Sequence, residues 1–175
     1  FPSSLNQFLC LIMSGIFGII FYKDQSEIKE KNINLSKINF LNYSALILFF
    51  LLLILLPVIA SFFDSNLLKI VNSFYRIGSL VFGGGHVVLP LLQEEFVTSG
   101  IIKEHVFLAG YGASQAIPGP LFTFSSYLGM FLKSGIDKIL LSIICLFFIF
   151  LPSFLLVTGT LPFWQKLREV NLFSR

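Results

Sequence analysis

One arginine in this sequence has the chemistry to bind an anion. Arg76 lies in residues 65–82, a largely apolar stretch whose spacing predicts a helix. Its guanidinium offers paired donors to a tetrahedral oxyanion, and charged side chains within a membrane are usually functional. The alternative is a structural role, in which Arg76 extends to the membrane interface or pairs with Glu94 or Glu95. Either role requires that Arg76 faces protein or water and not lipid.

Two interruptions of the backbone could supply further donors. Gly83, Gly84 and Gly85 directly follow the Arg76 helix, and each glycine costs a helix interior about 1 kcal/mol relative to alanine. Pro118, Gly119 and Pro120 interrupt a second helical stretch. A helix that restarts after such a break presents free N–H groups and about +0.5 charge, which favours an anion. The alternatives are close helix packing at the glycines and a simple kink at the prolines.

Four side chains near these breaks could also take part. Thr123 adds a hydroxyl donor after the second break, and His86 follows the first. His86 could titrate near neutral pH or donate to the anion, or it could cap the helix. Glu94 and Glu95 come late in their helix, where the dipole disfavours a carboxylate by about 0.3 to 1 kcal/mol. One of them could therefore carry a coupling proton, and the alternative is an interfacial acid in water.

The composition places these residues in a lipid bilayer. Of 175 residues, 55% are hydrophobic and 12% charged, and the 22 Phe outnumber the 12 basic and 9 acidic residues together. Ordinary soluble domains carry roughly 25% charged residues. The net charge of +3, without a basic stripe, excludes nucleic acid as a partner. Cys10 and Cys145 lie in apolar runs without ligand spacing, so we expect no metal and no cofactor.

Three long apolar stretches predict membrane-spanning helices over residues 5–22, 43–63 and 139–161, the last interrupted by Pro152 and ending at Pro162. At 1.5 Å per residue, each approaches or exceeds the hydrocarbon thickness of about 30 Å. Residues 23–42 form a polar linker. If the linker and the basic C-terminal tail share a side, the positive-inside rule makes that side cytoplasmic.

The middle of the chain predicts shorter helices. Residues 86–97, 104–116 and 121–132 could each reach only about 18 to 20 Å, too short to cross the bilayer. On the helix of residues 65–82, polar residues recur every three or four positions and predict one polar face: Ser65, Lys69, Asn72, Arg76 and Ser79. The sequence thus predicts an all-α membrane protein with spanning helices and two broken helical hairpins made of half-helices. Because broken backbone in lipid must be buried in protein or line a cavity, the breaks predict a translocation pathway.

Four ordered motifs around these breaks are similar to a known family. They are Phe82-Gly83-Gly84-Gly85-His86-Val87-Val88-Leu89-Pro90-Leu91-Leu92-Gln93-Glu94-Glu95, then Gln115-Ala116-Ile117-Pro118-Gly119-Pro120, then Tyr127-Leu128-Gly129, and Leu151-Pro152-Ser153-Phe154-Leu155. In order and approximate spacing they resemble the chromate ion transporter family. The resemblance implies a multi-pass plasma-membrane protein that exports chromate, with sulfate as a similar oxyanion. It also places Gln115 in the pathway and favours Glu95 over Glu94 for proton coupling.

The resemblance also implies a domain organisation. Family members are often built from two homologous halves in opposite orientations. Residues 1–22 would then be the last helix of a preceding half, residues 23–42 the linker, and residues 43–175 a second half truncated at its C-terminus. The partner would be a homologous half or another copy of the chain.

Two other functions remain open at this point. One is a non-transporting membrane fragment or accessory subunit. The other is an intramembrane enzyme that uses His86 with Glu94 or Glu95 as acid and base. Because the sequence contains no nucleophile with a partnered base, we expect that the chain is not an enzyme.

Overall fold

The computed structural model describes residues 40–81 and 85–169, together with Met13 and Phe17, without the side chains of His86 and residues 162–169. Apart from Met13 and Phe17, the predicted helix over residues 5–22 lies outside the described residues, as do most of the linker, Phe82, Gly83 and Gly84. Every regular element in the described segments is helical, which confirms the all-α prediction for them. The chain divides into two compact units, and residues Phe40–Gly159 form the one that contains the contacts reported below.

Two helices are long and apolar enough to cross a membrane, judged by length and composition. Helix α1 is Phe40–Phe62 and helix α6 is Lys138–Glu169, of which Lys138–Leu161 is the apolar part. The predicted apolar stretch over residues 139–161 agrees with the apolar part of α6, while the helix itself continues to Glu169. The predicted interruption at Pro152 is wrong, because α6 continues through this residue. A proline inside a helix removes one hydrogen bond and its ring crowds the preceding turn, but Pro152 is fully buried, so that packing supports the helix at this point.

Short helices connect α1 to α6. They are α2 (Asn66–Leu80), α3 (Gly85–Gln93) with a π-helical turn (Glu94–Thr98), α4 (Glu104–Gln115), a 3₁₀ turn (Leu121–Thr123) and α5 (Phe124–Phe131). Their bounds lie within a few residues of the predicted ones. Neither α3 with its π-helical turn nor the 3₁₀ turn with α5 reaches the length of a spanning helix. Their arrangement as two broken hairpins at membrane depth stays a prediction.

An apolar core holds the short helices against α6. Phe74 of α2 stacks on Phe96 of the π-helical turn with ring centroids 5.1 Å apart, and Phe107 of α4 meets Phe124 of α5 edge-on at 4.9 Å. Cys145 of α6 is buried in the same cluster, as expected for a packing residue. This packing fixes the short helices relative to the N-terminal half of α6, which contains Cys145.

The predicted polar face of α2 is wrong at one position. Lys69 and Arg76 are exposed, but Ser79 is buried and donates a hydrogen bond of 2.7 Å to the carbonyl of Tyr75. A serine hydroxyl that is satisfied one turn back along its own helix can be buried without a partner elsewhere. The exposed polar face of α2 therefore excludes Ser79 and is the side that carries Lys69 and Arg76.

A close backbone approach joins α2 to α6. A Cβ atom added to Gly78 would lie 2.2 Å from the carbonyl oxygen of Ile149. Small residues of this kind let helices in membranes approach closely enough for extensive van der Waals contact. The position of α2, and hence of Arg76, depends on the absence of a side chain at Gly78.

Replacing Gly78 by alanine should destabilise the protein. The added methyl group would meet backbone, which cannot rotate away, and overpacking of this kind costs about 1 to 3 kcal/mol or more. The matched control is Gly112→Ala in α4, where nothing lies within 4 Å of the added Cβ. That change should be neutral or stabilising by up to about 1 kcal/mol. Equal unfolding free energies for both variants in detergent solution would contradict the packing described here.

Candidate functional site

Helix α2 and the π-helical turn bring two of the predicted residues into contact. Arg76 Nη2 donates to Glu95 Oε2 at 2.6 Å. The Arg76 side chain is 52% exposed and the Glu95 side chain 28%. The ion pair that the sequence leaves open as an alternative is therefore present. Because the guanidinium still reaches the surface, the pair is accessible to a solute.

Ser73 is a third member of this cluster. Its hydroxyl forms a hydrogen bond with Glu95 Oε1, the oxygen that does not contact Arg76. The same hydroxyl lies 3.0 Å from the carbonyl of Lys69. The sequence interpretation does not include Ser73, although its position three residues before Arg76 places both on adjacent parts of one helix face. Glu95 is thus held through both carboxylate oxygens by α2.

Glu95, and not Glu94, faces α2 at the start of the π-helical turn. The turn comprises Glu94–Thr98, and Glu95 lies seven residues after the buried Val88, on nearly the same side of the helix. Glu95 becomes half-buried against α2 and Glu94 remains exposed, while the Ser99 hydroxyl donates to the Glu95 carbonyl at 2.5 Å. Turns of this type often occur at functional sites. The sequence pattern of 3.6 residues per turn contains no signal for it.

A cleft of about 220 Å³ opens beside the ion pair. It is lined by Arg76, Ile77 and Leu80 of α2 and by Leu91, Glu94 and Glu95 of the opposite segment. Its volume is below the roughly 300 to 1,000 Å³ of pockets for drug-sized ligands, which suits a small ion. The cleft combines one cation, two carboxylates and an apolar wall, and can therefore hold an anion or exchange a proton.

Gly85, the one described residue of the first predicted break, contacts the segment after the second predicted break at a different place. A Cβ atom added to Gly85, the first residue of α3, would lie 2.8 Å from Leu121 Cβ in the 3₁₀ turn. Thr123 of that turn donates to the carbonyl of Pro120 at 3.1 Å. The start of α3 therefore packs directly on the segment that follows the second break.

Only some of the remaining predicted residues belong to the part of the chain that the structure describes. Gln115, Pro118, Gly119 and Pro120 are exposed. Gly83, Gly84 and the His86 side chain lie outside the described residues. Glu95 follows Gly85 by ten residues, or about 15 Å of helix. The structure thus contains two separate contacts. Gly85 contacts Leu121 at the start of α3, and Arg76 contacts Glu95 in the π-helical turn that follows α3.

Lys69 is engaged away from the cleft. It forms an ion pair with Asp64 at the turn between α1 and α2, and both side chains are exposed. The hydrogen bond from Lys69, and secondly its charge, lower the pKa of the Asp64 carboxyl from its usual value. Lys69 is therefore a cation of the α1–α2 turn, while Arg76 supplies the positive charge of the cleft.

The described part of the chain offers no ligand set for a metal. Within residues 40–81 and 85–169 no three His, Cys, Asp or Glu residues are grouped so that they could hold an ion. The buried thiol of Cys145 is surrounded by apolar side chains of the core.

Comparisons with known proteins agree with the motifs. The family model described as "Chromate transporter" matches residues 68–175, which include Arg76, Glu95 and both breaks. The chain is 25% identical over 179 residues to an uncharacterized transporter of Methanocaldococcus jannaschii, covering 99% of this chain and 42% of that protein. It is 27% identical over 107 residues to a chromate transport protein of Pseudomonas aeruginosa, covering 61% of this chain and 24% of that protein. The chain thus spans less than half of each relative, and no solved structure matches it significantly.

The ion pair should give a measurable coupling energy in a double-mutant cycle of Arg76→Gln and Glu95→Gln. We expect about 1 kcal/mol, the upper end for exposed pairs, because Glu95 is shielded although Arg76 is not. The coupling should fall as salt is added. Arg76→Gln combined with Glu104→Gln, an exposed acid at the start of α4, should be additive. A cycle for the first pair that is also additive would contradict the contact.

Proposed function

The chain belongs to the chromate transporter family, and we propose that it is part of a multi-pass plasma-membrane transporter that exports chromate or a sulfate-like oxyanion. The observation that carries the proposal is the family match over residues 68–175, which contains the Arg76 cleft and both helix breaks. Two helices long and apolar enough to cross a bilayer support a membrane location. Since the family is one of transporters, the expected activity is net movement of an anion without chemical turnover.

Arg76 is the first anion contact in this proposal. Its guanidinium borders an open cleft, and the facing walls of Leu80 and Leu91 exclude part of the competing water. Planar paired donors suit the oxygens of a tetrahedral oxyanion. Glu95, already paired with Arg76, is the residue that we propose for the coupling proton, with Glu94 at the rim as the alternative.

The second part of the pathway is the contact between the breaks. The start of α3 at Gly85 and the turn at Leu121 pack together, which supports a common pathway for the two segments. We propose that Gly83, Gly84, Gly85 and His86 line the path on one side, and Gln115, Pro118, Gly119, Pro120 and Thr123 on the other. Alternating access would move these short segments relative to the long helices.

In this proposal, the complete transporter is longer than the present chain. The chain spans 42% of the length of the Methanocaldococcus jannaschii relative, which agrees with one half of a two-half protein. Residues 43–175 form that half, residues 1–22 contribute the last helix of the preceding half, and residues 23–42 link them. The partner is a homologous half or a second copy, within the lipid bilayer.

A chromate flux assay with the full-length protein in proteoliposomes tests the proposal. Arg76→Ala should lower the initial rate at least tenfold, because loss of one hydrogen bond to a charged group costs about 1.5 to 3 kcal/mol. Gly84→Leu should also abolish flux. Lys133→Ala, which removes an exposed cation from the loop after α5, is the matched control and should transport normally.

Three outcomes would contradict this reading. Normal flux in both Arg76→Ala and Gly84→Leu would exclude the proposed site. Inserted wild-type protein without flux would favour a non-transporting or accessory subunit. Chemical conversion of a substrate without net flux would favour an enzyme.

A further inference from the structure

Glu95 occupies the donors that a substrate oxyanion would need. Its Oε2 accepts a hydrogen bond of 2.6 Å from Arg76, and its Oε1 accepts a hydrogen bond from the Ser73 hydroxyl. A carboxylate presents two oxygens of shared negative charge, as one edge of a tetrahedral oxyanion does. An oxyanion that enters this cleft therefore competes with Glu95 for Arg76 Nη2.

Ser73 can serve Glu95 in both of its protonation states. A hydroxyl has one proton to donate and can also accept. With an ionised Glu95, the Ser73 proton goes to Oε1. With a protonated Glu95, the carboxyl can donate to Ser73 Oγ, while Ser73 donates to the Lys69 carbonyl 3.0 Å away. Neither state leaves the half-buried carboxyl without a hydrogen-bond partner on α2.

The charges around the cleft favour protonation when an anion enters. In the present state, Arg76 and Glu95 neutralise each other. A dianion beside an ionised Glu95 would place three negative charges around one guanidinium, and Glu94 lines the same cleft. Lys69, two turns earlier on α2, is already paired with Asp64. Uptake of one proton by Glu95 removes part of the repulsion.

We propose that a substrate oxyanion displaces Glu95 from Arg76 and that Glu95 takes up one proton from water as it leaves, with Ser73 as the residue that positions both forms of the carboxyl. The proposal rests on the proposed function, since it concerns the same anion. The step breaks the ion pair of Arg76 with Glu95 and one O–H bond of the proton donor, which is hydronium (leaving water) or, at alkaline pH, water (leaving hydroxide). It forms one O–H bond on Glu95 and a new ion pair between Arg76 and the oxyanion. Anion binding and proton binding thereby assist each other in this cleft.

The test measures chromate binding to the full-length protein by calorimetry from neutral to alkaline pH. Because chromate itself binds a proton, each variant is compared with the wild type at the same pH. Glu95→Gln should bind chromate more tightly than wild type at alkaline pH, since its neutral side chain leaves Arg76 available. The affinity ratio should approach one as the pH falls, changing by up to about tenfold per pH unit.

Two further variants separate proton linkage from a structural effect. Glu104→Gln makes the same chemical change at an exposed position on α4 and should follow the wild type at every pH. Ser73→Ala should move the midpoint of the pH profile to higher pH, because the hydrogen bond that the ionised carboxylate loses is stronger than the one that the neutral carboxyl loses. Ser73→Thr, which keeps the hydroxyl, should restore the wild-type midpoint.

The outcomes distinguish this proposal from the proposed function. A wild-type protein that binds no chromate would overturn the proposed function and this step with it. Chromate binding that Glu95→Gln weakens, or a ratio that does not change with pH, would overturn the exchange alone. The same holds if Glu94→Gln produces the effect in place of Glu95→Gln.

A second measurement applies if Glu95→Gln does not fold. The number of protons that the wild type takes up on binding chromate at alkaline pH is measured by calorimetry in buffers of different ionisation enthalpy. Uptake of about one proton supports the exchange, and no uptake overturns it.

Discussion

The ion pair between Arg76 and Glu95 is the interaction on which the candidate site depends. In a chain with so few charges, a charged side chain among apolar helices is stabilised by an oppositely charged partner, and here each residue provides that partner for the other. The ion pair joins α2 to the π-helical turn that follows α3, with Ser73 as a second contact between the same segments. Because a single elementary charge of each sign is involved, the pair is neutral as it stands. Its exposure on the Arg76 side leaves it open to competition from a solute anion.

The rest of the described structure positions this pair. The stacked rings of Phe74 and Phe96 lie on the buried sides of the two segments that carry Arg76 and Glu95. Gly78 allows α2 to approach the backbone of α6, and Tyr75 donates to the Phe49 carbonyl of α1 at 2.9 Å. Helix α2 is therefore fixed against both long helices. The cleft lies on the one side of α2 that these contacts leave uncovered.

Much of this architecture could be predicted from the sequence, because it depends on local chemistry. Apolar length predicts α1 and most of α6, and glycine and proline predict the ends of α2 and the start of the 3₁₀ turn. The burial of Ser79 and the continuation of α6 through Pro152 depend on packing, which periodicity does not report. The π-helical turn at Glu94–Thr98 has no signal in a pattern counted at 3.6 residues per turn. Sequence reasoning names Arg76 and Glu95 as candidates, and only the fold shows that they are partners while Gly85 contacts Leu121 elsewhere.

The central claim is that Glu95 holds the place of the transported anion on Arg76. A structure of the full-length protein with bound chromate tests it most directly, since the heavy central atom locates the anion. The account predicts chromate within hydrogen-bond distance of the Arg76 guanidinium and the Glu95 carboxyl turned away from it. Chromate bound elsewhere, with the Arg76–Glu95 contact of 2.6 Å intact, would contradict the account.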